Sequence, residues 1–157
     1  LDGILSGGRT GKLNRELVEE KKLALGADTG AVFPSGKYPN LFIAFMVPNA
    51  GKTIDDLEKA WDELIEKMKK DPIDEAAVKR VKTKLRAAFI AGLDSNSGLA
   101  RQMAESHVAL GSWKMVFTEL DDLEKVTSAD VKRVLNTYLT KKNRTVAYSI
   151  QTKPEGK

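Results

Sequence analysis

Seven consecutive residues, Leu41 to Val47 (LFIAFMV), are apolar and end at Pro48. This run constrains the fold more than any other feature of the chain. It is far short of the roughly 20 residues that cross a bilayer. Its phenylalanine, isoleucine and valine content and its proline stop suit a strand covered on both faces, or on one face with a partner alongside. A lone strand is not stable in water, so it needs a neighbour and a helical cover. The neighbour is expected just upstream. LGADTGAVFPSG reads as a strand, and PSGKYPN carries turn chemistry. Together the two strands predict a hairpin with a loose loop.

The cover is expected from helices, because most of the remaining apolar residues recur at helical spacing. TIDD is a capping box, with Thr53 as N-cap and Asp56 answering it three residues on. Ile54, Leu57, Trp61, Leu64, Ile65 and Met68 follow it as one stripe. The next helix, opened by DPIDEAAV, is expected to turn Val78, Val81, Leu85, Phe89 and Leu93 inward. DSNSG interrupts it, and a helix resumes through Leu99, Met103 and Leu110. GSWKMVFTELDDLEKV predicts one short helix. TSAD is a second capping box, Thr127 with Asp130, opening a helix that carries Val131, Val134, Leu135, Tyr138 and Leu139. RTVAYSI predicts a last strand with Val146, Tyr148 and Ile150 on one face. At the start, Leu1, Ile4 and Leu5 have helical spacing until Gly7-Gly8 stops them. A second helix is expected from about Thr10 to Lys22, with Leu13, Leu17 and Val18 as its stripe. The expected fold class is α+β, a two-layer sandwich of helices on one face of a small, mainly antiparallel sheet. Residues 1–157 are expected to form one domain, with no repeat or linker to divide them.

The chemistry carried by these elements is sparse. SGGRTGKL, Ser6 to Leu13, resembles a phosphate loop only in part. With Gly11-Lys12 in register, the first glycine position holds Ser6 and the hydroxyl position holds Leu13, so both ends fail. It reads as a glycine-rich turn between two helices. The chain has no cysteine, which excludes disulfides, thiolate metal sites and a cysteine nucleophile. His107 is the one histidine, and Glu105, two residues away, points to a different helix face. A histidine zinc site needs further strong ligands, and nothing around His107 supplies them. No serine sits in a nucleophile-elbow sequence. The paired acids Glu19-Glu20, Asp55-Asp56 and Asp121-Asp122 read as solvated helix faces. A net charge of +4 is spread among interleaved acids and bases, and no basic block is interleaved with aromatics. Nucleic-acid binding has little support, and no catalytic residue and no metal ligand can be named in this chain.

The order of these segments resembles the non-catalytic repeat of the insulinase/pitrilysin family of zinc metallopeptidases, which includes the mitochondrial processing peptidases. LDGILSGGRTGKLNRELVEEKKLA is similar to that family's aliphatic helix, glycine-rich turn and S-R-L-Y-R-E-L-R-E-E-K-G-L-A-Y helix. VTSADVKRVLNTYLTKKNRTV is similar to its closing capped helix ending in Y-L, followed by N-R and the last strand. The resemblance covers essentially the full length. It implies a processing-peptidase-like metallohydrolase fold whose repeated units enclose a chamber. Zinc is then expected on an inverted H-x-x-E-H helix in another unit, with no cofactor in this chain.

In the L-R-E-E-K-G-L-A-Y register, the family's substrate-binding arginine falls on Val18, its glycine on Lys22 and its tyrosine on Leu25. Leu17, Glu19, Glu20, Lys21, Leu23 and Ala24 match. Val18 and Leu25 are therefore degenerate substrate-binding positions and are expected to serve packing instead. The function implied is a non-catalytic, chamber-forming domain of a zinc-dependent metalloendopeptidase acting on peptides. The alternative is a catalytically inactive scaffold or assembly subunit of the same family. The partners implied are a zinc-bearing domain in the same or another chain, a peptide substrate, and homo-oligomeric or intra-family pairing. The start at LDGIL, without methionine, leads to the expectation of an excised or mature product lacking the family's first strand. No apolar run is long enough for a membrane span and no signal peptide is visible, so a soluble protein is expected, while the lack of cysteine leaves its compartment open between bacterial cytoplasm and periplasm.

Overall fold

A computed structural model describes residues 1–34 and 36–149. Helix α1 (Asp2–Leu5) leads into a 3₁₀ turn (Gly8–Thr10) and a π-helical segment (Asn14–Glu20). Strands β1 (Ala24–Phe33) and β2 (Leu41–Pro48) then pair antiparallel as the expected hairpin. Helices α2 (Ile54–Lys70), α3 (Glu75–Gly92) and α4 (Asn96–Leu110) follow. A 3₁₀ segment (Trp113–Phe117), α5 (Glu119–Lys125), α6 (Ser128–Tyr138) and a last 3₁₀ turn (Lys141–Asn143) complete the described elements.

The stripe on α2 organises the core. Leu57, Ala60, Trp61, Leu64, Ile65 and Met68 are buried and meet Leu5, Leu13, Leu17 and Ala24 from the first segments, with Val131 and Leu135 from α6. Both capping boxes form. The Thr53 hydroxyl accepts from the Asp56 amide at 3.1 Å, and Asp56 Oδ2 accepts from the Thr53 amide at 2.9 Å. Thr127 and Asp130 repeat the pattern at 3.2 and 3.0 Å. Each cap satisfies helix N–H groups that have no partner in the helix, an effect of about 1 kcal/mol.

The apolar run takes the second of its two options, one face covered and a partner strand beside it. Phe42, Ala44 and Met46 on β2 pack on the core together with Ala27 of β1. Phe45 and Leu41 point away and are 66% and 62% exposed. The ladder runs from Ala24↔Pro48 through Asp28↔Phe45 to Phe33↔Leu41, with irregularities at Ala24/Gly26 and Gly30/Phe33. At the first irregularity β1 advances two residues while β2 advances one, so Leu25 is the extra residue of a β-bulge.

Several expectations fail for local reasons. On α3, Val78 is buried and Val81 partly so, but Leu85 is 49% exposed. Phe89 and Leu93 are half-buried, where the second half of α3 meets α4 and α5 in place of the main core. Leu110 and Tyr138 are exposed as well. The single short helix expected after Gly111 is split at Thr118, whose hydroxyl donates to the Met115 carbonyl at 3.1 Å. The helix expected over about Thr10–Lys22 forms only beyond Gly11, whose carbonyl accepts from the Arg15 amide at 3.1 Å. A Cβ there would lie 2.7 Å from both the Leu5 carbonyl oxygen and the Gly7 nitrogen, so only glycine lets the backbone cross this closely. Beyond it the hydrogen bonding widens, with the Lys21 amide on the Glu16 carbonyl at 3.0 Å. The last strand does not form over its described residues 144–149, and Ile150 lies outside the described residues. Side-chain charge holds that segment instead. Arg144 reaches Asp62 and Glu58 on α2, each at 2.5 Å, and Lys141 reaches Asp62 at 3.0 Å.

Candidate functional site

The glycine-rich turn sits where α1, the π-helical segment and β1 converge. Gly8 has φ +75, a conformation that disfavours L side chains. A phosphate loop aims backbone N–H groups at its ligand. Here the Gly8 amide donates to the Ser6 carbonyl at 2.6 Å, and the Gly7 carbonyl accepts the Lys84 ammonium at 3.1 Å. The turn is thereby closed on itself and tied to α3. A second tie joins α1 to the sheet. The Thr29 hydroxyl donates to Asp2 Oδ1 at 2.5 Å and lies 2.9 Å from the Ser6 hydroxyl.

Val18 and Leu25 differ in burial. Val18 is partly buried and packs on the core, as expected. Leu25 is 66% exposed, so the expectation that it packs is wrong. The bulge turns it outward, and no pattern of apolar residues announces a bulge. Lys22, where the family register placed a glycine, has φ +51, the left-handed conformation that glycine adopts most easily. It is held there by Asn49, whose side-chain amide donates to the Lys22 carbonyl at 3.1 Å and whose backbone amide donates to the Leu23 carbonyl at 2.8 Å.

Among the described residues no three histidine, aspartate or glutamate side chains come together in a way that could hold a metal ion. His107 lies exposed on α4. Zinc needs several convergent nitrogen or carboxylate ligands, so the described residues do not fit it. No described helix is long and apolar enough to cross a membrane.

One cleft opens beside the bulge, with a volume of about 340 Å³. Gly26, Ala27 and Asp28 of β1 line one side, Phe45 and Val47 of β2 another, and Ser6, Gly8 and Asn14 the rim. Asp28 and Phe45 are directly opposed in the hairpin, which puts both side chains on the uncovered face. The sequence contains both residues but not their pairing, which depends on the register set by the bulge. The Arg144 clamp was equally hidden, since 82 residues separate it from Asp62. At Asp62 burial pushes the carboxyl up, but hydrogen bonds from Lys141 and Arg144 and their charges outweigh it, and the net value is below the ordinary one.

Residues 1–85 match the family described as the peptidase M16 inactive domain. Over 153 residues the chain is 31% identical to the zinc protease PqqE of Helicobacter pylori. The match covers 94% of this chain and 33% of that protein, so the chain spans about one third of its curated relative. Solved structures share the fold. A protease from Helicobacter pylori superposes with a TM-score of 0.78 at 24% identity, over 88% of this chain and 33% of that one. The inactive peptidase domain of a protein assigned as a zinc protease in Bordetella parapertussis superposes with a TM-score of 0.80 at 22% identity, over 98% of this chain and 82% of that one.

Proposed function

The chain belongs to the peptidase M16 inactive-domain family, and from that premise we propose that it is the chamber-forming, non-catalytic unit of a zinc-dependent metalloendopeptidase acting on peptides. The observation that carries this reading is the two-faced hairpin. Helices and the π-helical segment cover one face, while Phe45, Leu41 and Val47 stand uncovered on the other. Apolar side chains left together in water mark a face that meets something else. In a peptidase assembly, that face lines the chamber and meets unfolded substrate. The zinc-bearing unit, in the same chain or a partner, supplies the metal-activated water. This domain contributes enclosure and substrate contact. Pairing with a second copy or with another member of the family belongs to the same reading, as does a chain of 157 residues acting as one domain.

The test is made on the parent protein. Its reading frame should encode H-x-x-E-H upstream of this segment, and the purified parent should hold zinc and cleave peptides. Phe45→Ser should raise KM for an unstructured peptide while leaving zinc content unchanged. A degenerate zinc motif in the parent would establish the inactive scaffold instead.

A further inference from the structure

We propose that the cleft beside the β1 bulge is a subsite for an arginine side chain of an extended peptide, a proposal that rests on the uncovered sheet face being a chamber wall. Asp28 and Phe45 form one cross-strand pair on that face. An exposed carboxylate opposite an exposed ring offers charge and a π-face to the same volume. A guanidinium matches both, because it is planar, stacks on an aromatic ring and pairs with a carboxylate through two N–H donors. An ammonium would pair with Asp28 but not stack as well. The aliphatic stem of arginine would lie along Val47 and the edge of Phe45. Asn14 at the rim offers an oxygen acceptor to the remaining guanidinium N–H groups.

Charge complementarity selects this occupant over the others. Among the described residues lining the cleft, Asp28 carries the only formal charge. Lys84, which reaches the neighbouring turn, is engaged by the Gly7 carbonyl at 3.1 Å. An acidic side chain would meet Asp28 unscreened by any lining cation. A purely apolar one would desolvate the carboxylate without replacing its water. Gly26 keeps the space open, since nothing lies within 4 Å of where its Cβ would be. The bulge at Leu25 shifts the strand so that Ala27 faces the core and Asp28 faces out.

The experiment uses a fluorescein-labelled unstructured nonapeptide with one central arginine, and the same peptide with citrulline, which keeps the shape and removes the charge. Binding to the chain is followed by fluorescence anisotropy. The arginine peptide should bind about three- to tenfold more tightly, the size expected of one exposed ion pair and one cation–π contact. Asp28→Asn should abolish that preference, while its amide oxygen can still accept from the Thr29 amide, now 3.0 Å from Asp28 Oδ1. Gly26→Val should weaken both peptides by filling the cleft. Equal binding of the two peptides to the wild-type chain, a preference that survives Asp28→Asn, or no binding of either would overturn the proposal. If the peptides bind equally and Phe45→Ser weakens both, the arginine subsite falls while the chamber wall stands. If Phe45→Ser weakens neither, both readings fall.

Discussion

Replacing Arg144 by methionine tests how the end of the chain is held without a strand. Its guanidinium spans Glu58 and Asp62, one helical turn apart on α2, with both contacts at 2.5 Å. The side chains of Arg144 and Asp62 are about one quarter exposed, and that of Glu58 is 39% exposed. A hydrogen bond to a charged group contributes about 1.5–3 kcal/mol when sheltered. An exposed ion pair contributes about 0–1 kcal/mol. The Asp62 contact lies between these limits and the Glu58 contact near the lower one. Removing the cation also leaves two like charges at i, i+4, which costs a few tenths of a kcal/mol. Methionine keeps most of the aliphatic packing. Arg144→Met should therefore destabilise the chain by about 2 kcal/mol, or roughly 4–8 °C in Tm for a chain of this size.

The assay is urea unfolding followed by tryptophan fluorescence, with Trp61 buried on α2 as the reporter. A double-mutant cycle with Asp62→Asn should give a coupling of about 1 kcal/mol, because the two residues share a contact. The pH dependence has a definite sign. The folded Asp62 value lies below the unfolded one, so the unfolded state binds more protons between the two values. The stability from this site is present above the ordinary carboxylate value near pH 4 and is lost as pH falls through the folded value. The wild type should therefore lose more stability on acidification below about pH 4 than Arg144→Met does. A loss under about 0.5 kcal/mol, with no coupling to Asp62, would show that the 2.5 Å contacts contribute no more than ordinary surface pairs.

Other substitutions separate backbone from side-chain effects. Gly11→Ala should cost about 2–3 kcal/mol in urea unfolding, because its Cβ would meet backbone atoms of Leu5 and Gly7 that cannot move aside independently. Lys22→Gly should stabilise by about 0.5–1 kcal/mol, the relief of a left-handed lysine less the added freedom of the unfolded chain, and a lower Tm would contradict this. Val18→Ala should cost about 1 kcal/mol and Leu25→Ala less than about 0.5 kcal/mol, since only the first packs on the core; equal losses would contradict the bulge register. Metal analysis of the purified chain should find zinc well below stoichiometric, and any peptide hydrolysis abolished by His107→Ala would overturn the non-catalytic assignment.

The sequence announces what depends on neighbouring residues and hides what depends on distant ones. The stripe from Leu57 to Met68 and the caps at Thr53 and Thr127 are local, and each forms where its spacing puts it. The inward face proposed for α3 fails at Leu85 because a periodic stripe states which residues share a side, not whether a neighbour reaches that side. Leu25 fails for a related reason. Its apolar side chain favours burial, but the ladder admits an extra residue there and tertiary register decides its direction. The same bulge sets which β1 side chains face outward and which face the core. Asp28 and Phe45 meet because of it, and Ala27 turns inward because of it. A chain read only by its periodicity would place one continuous alternation along β1 and misassign one end of the strand. The cleft beside Gly26 lies where that alternation is broken at Leu25, next to a residue with no side chain to fill the gap.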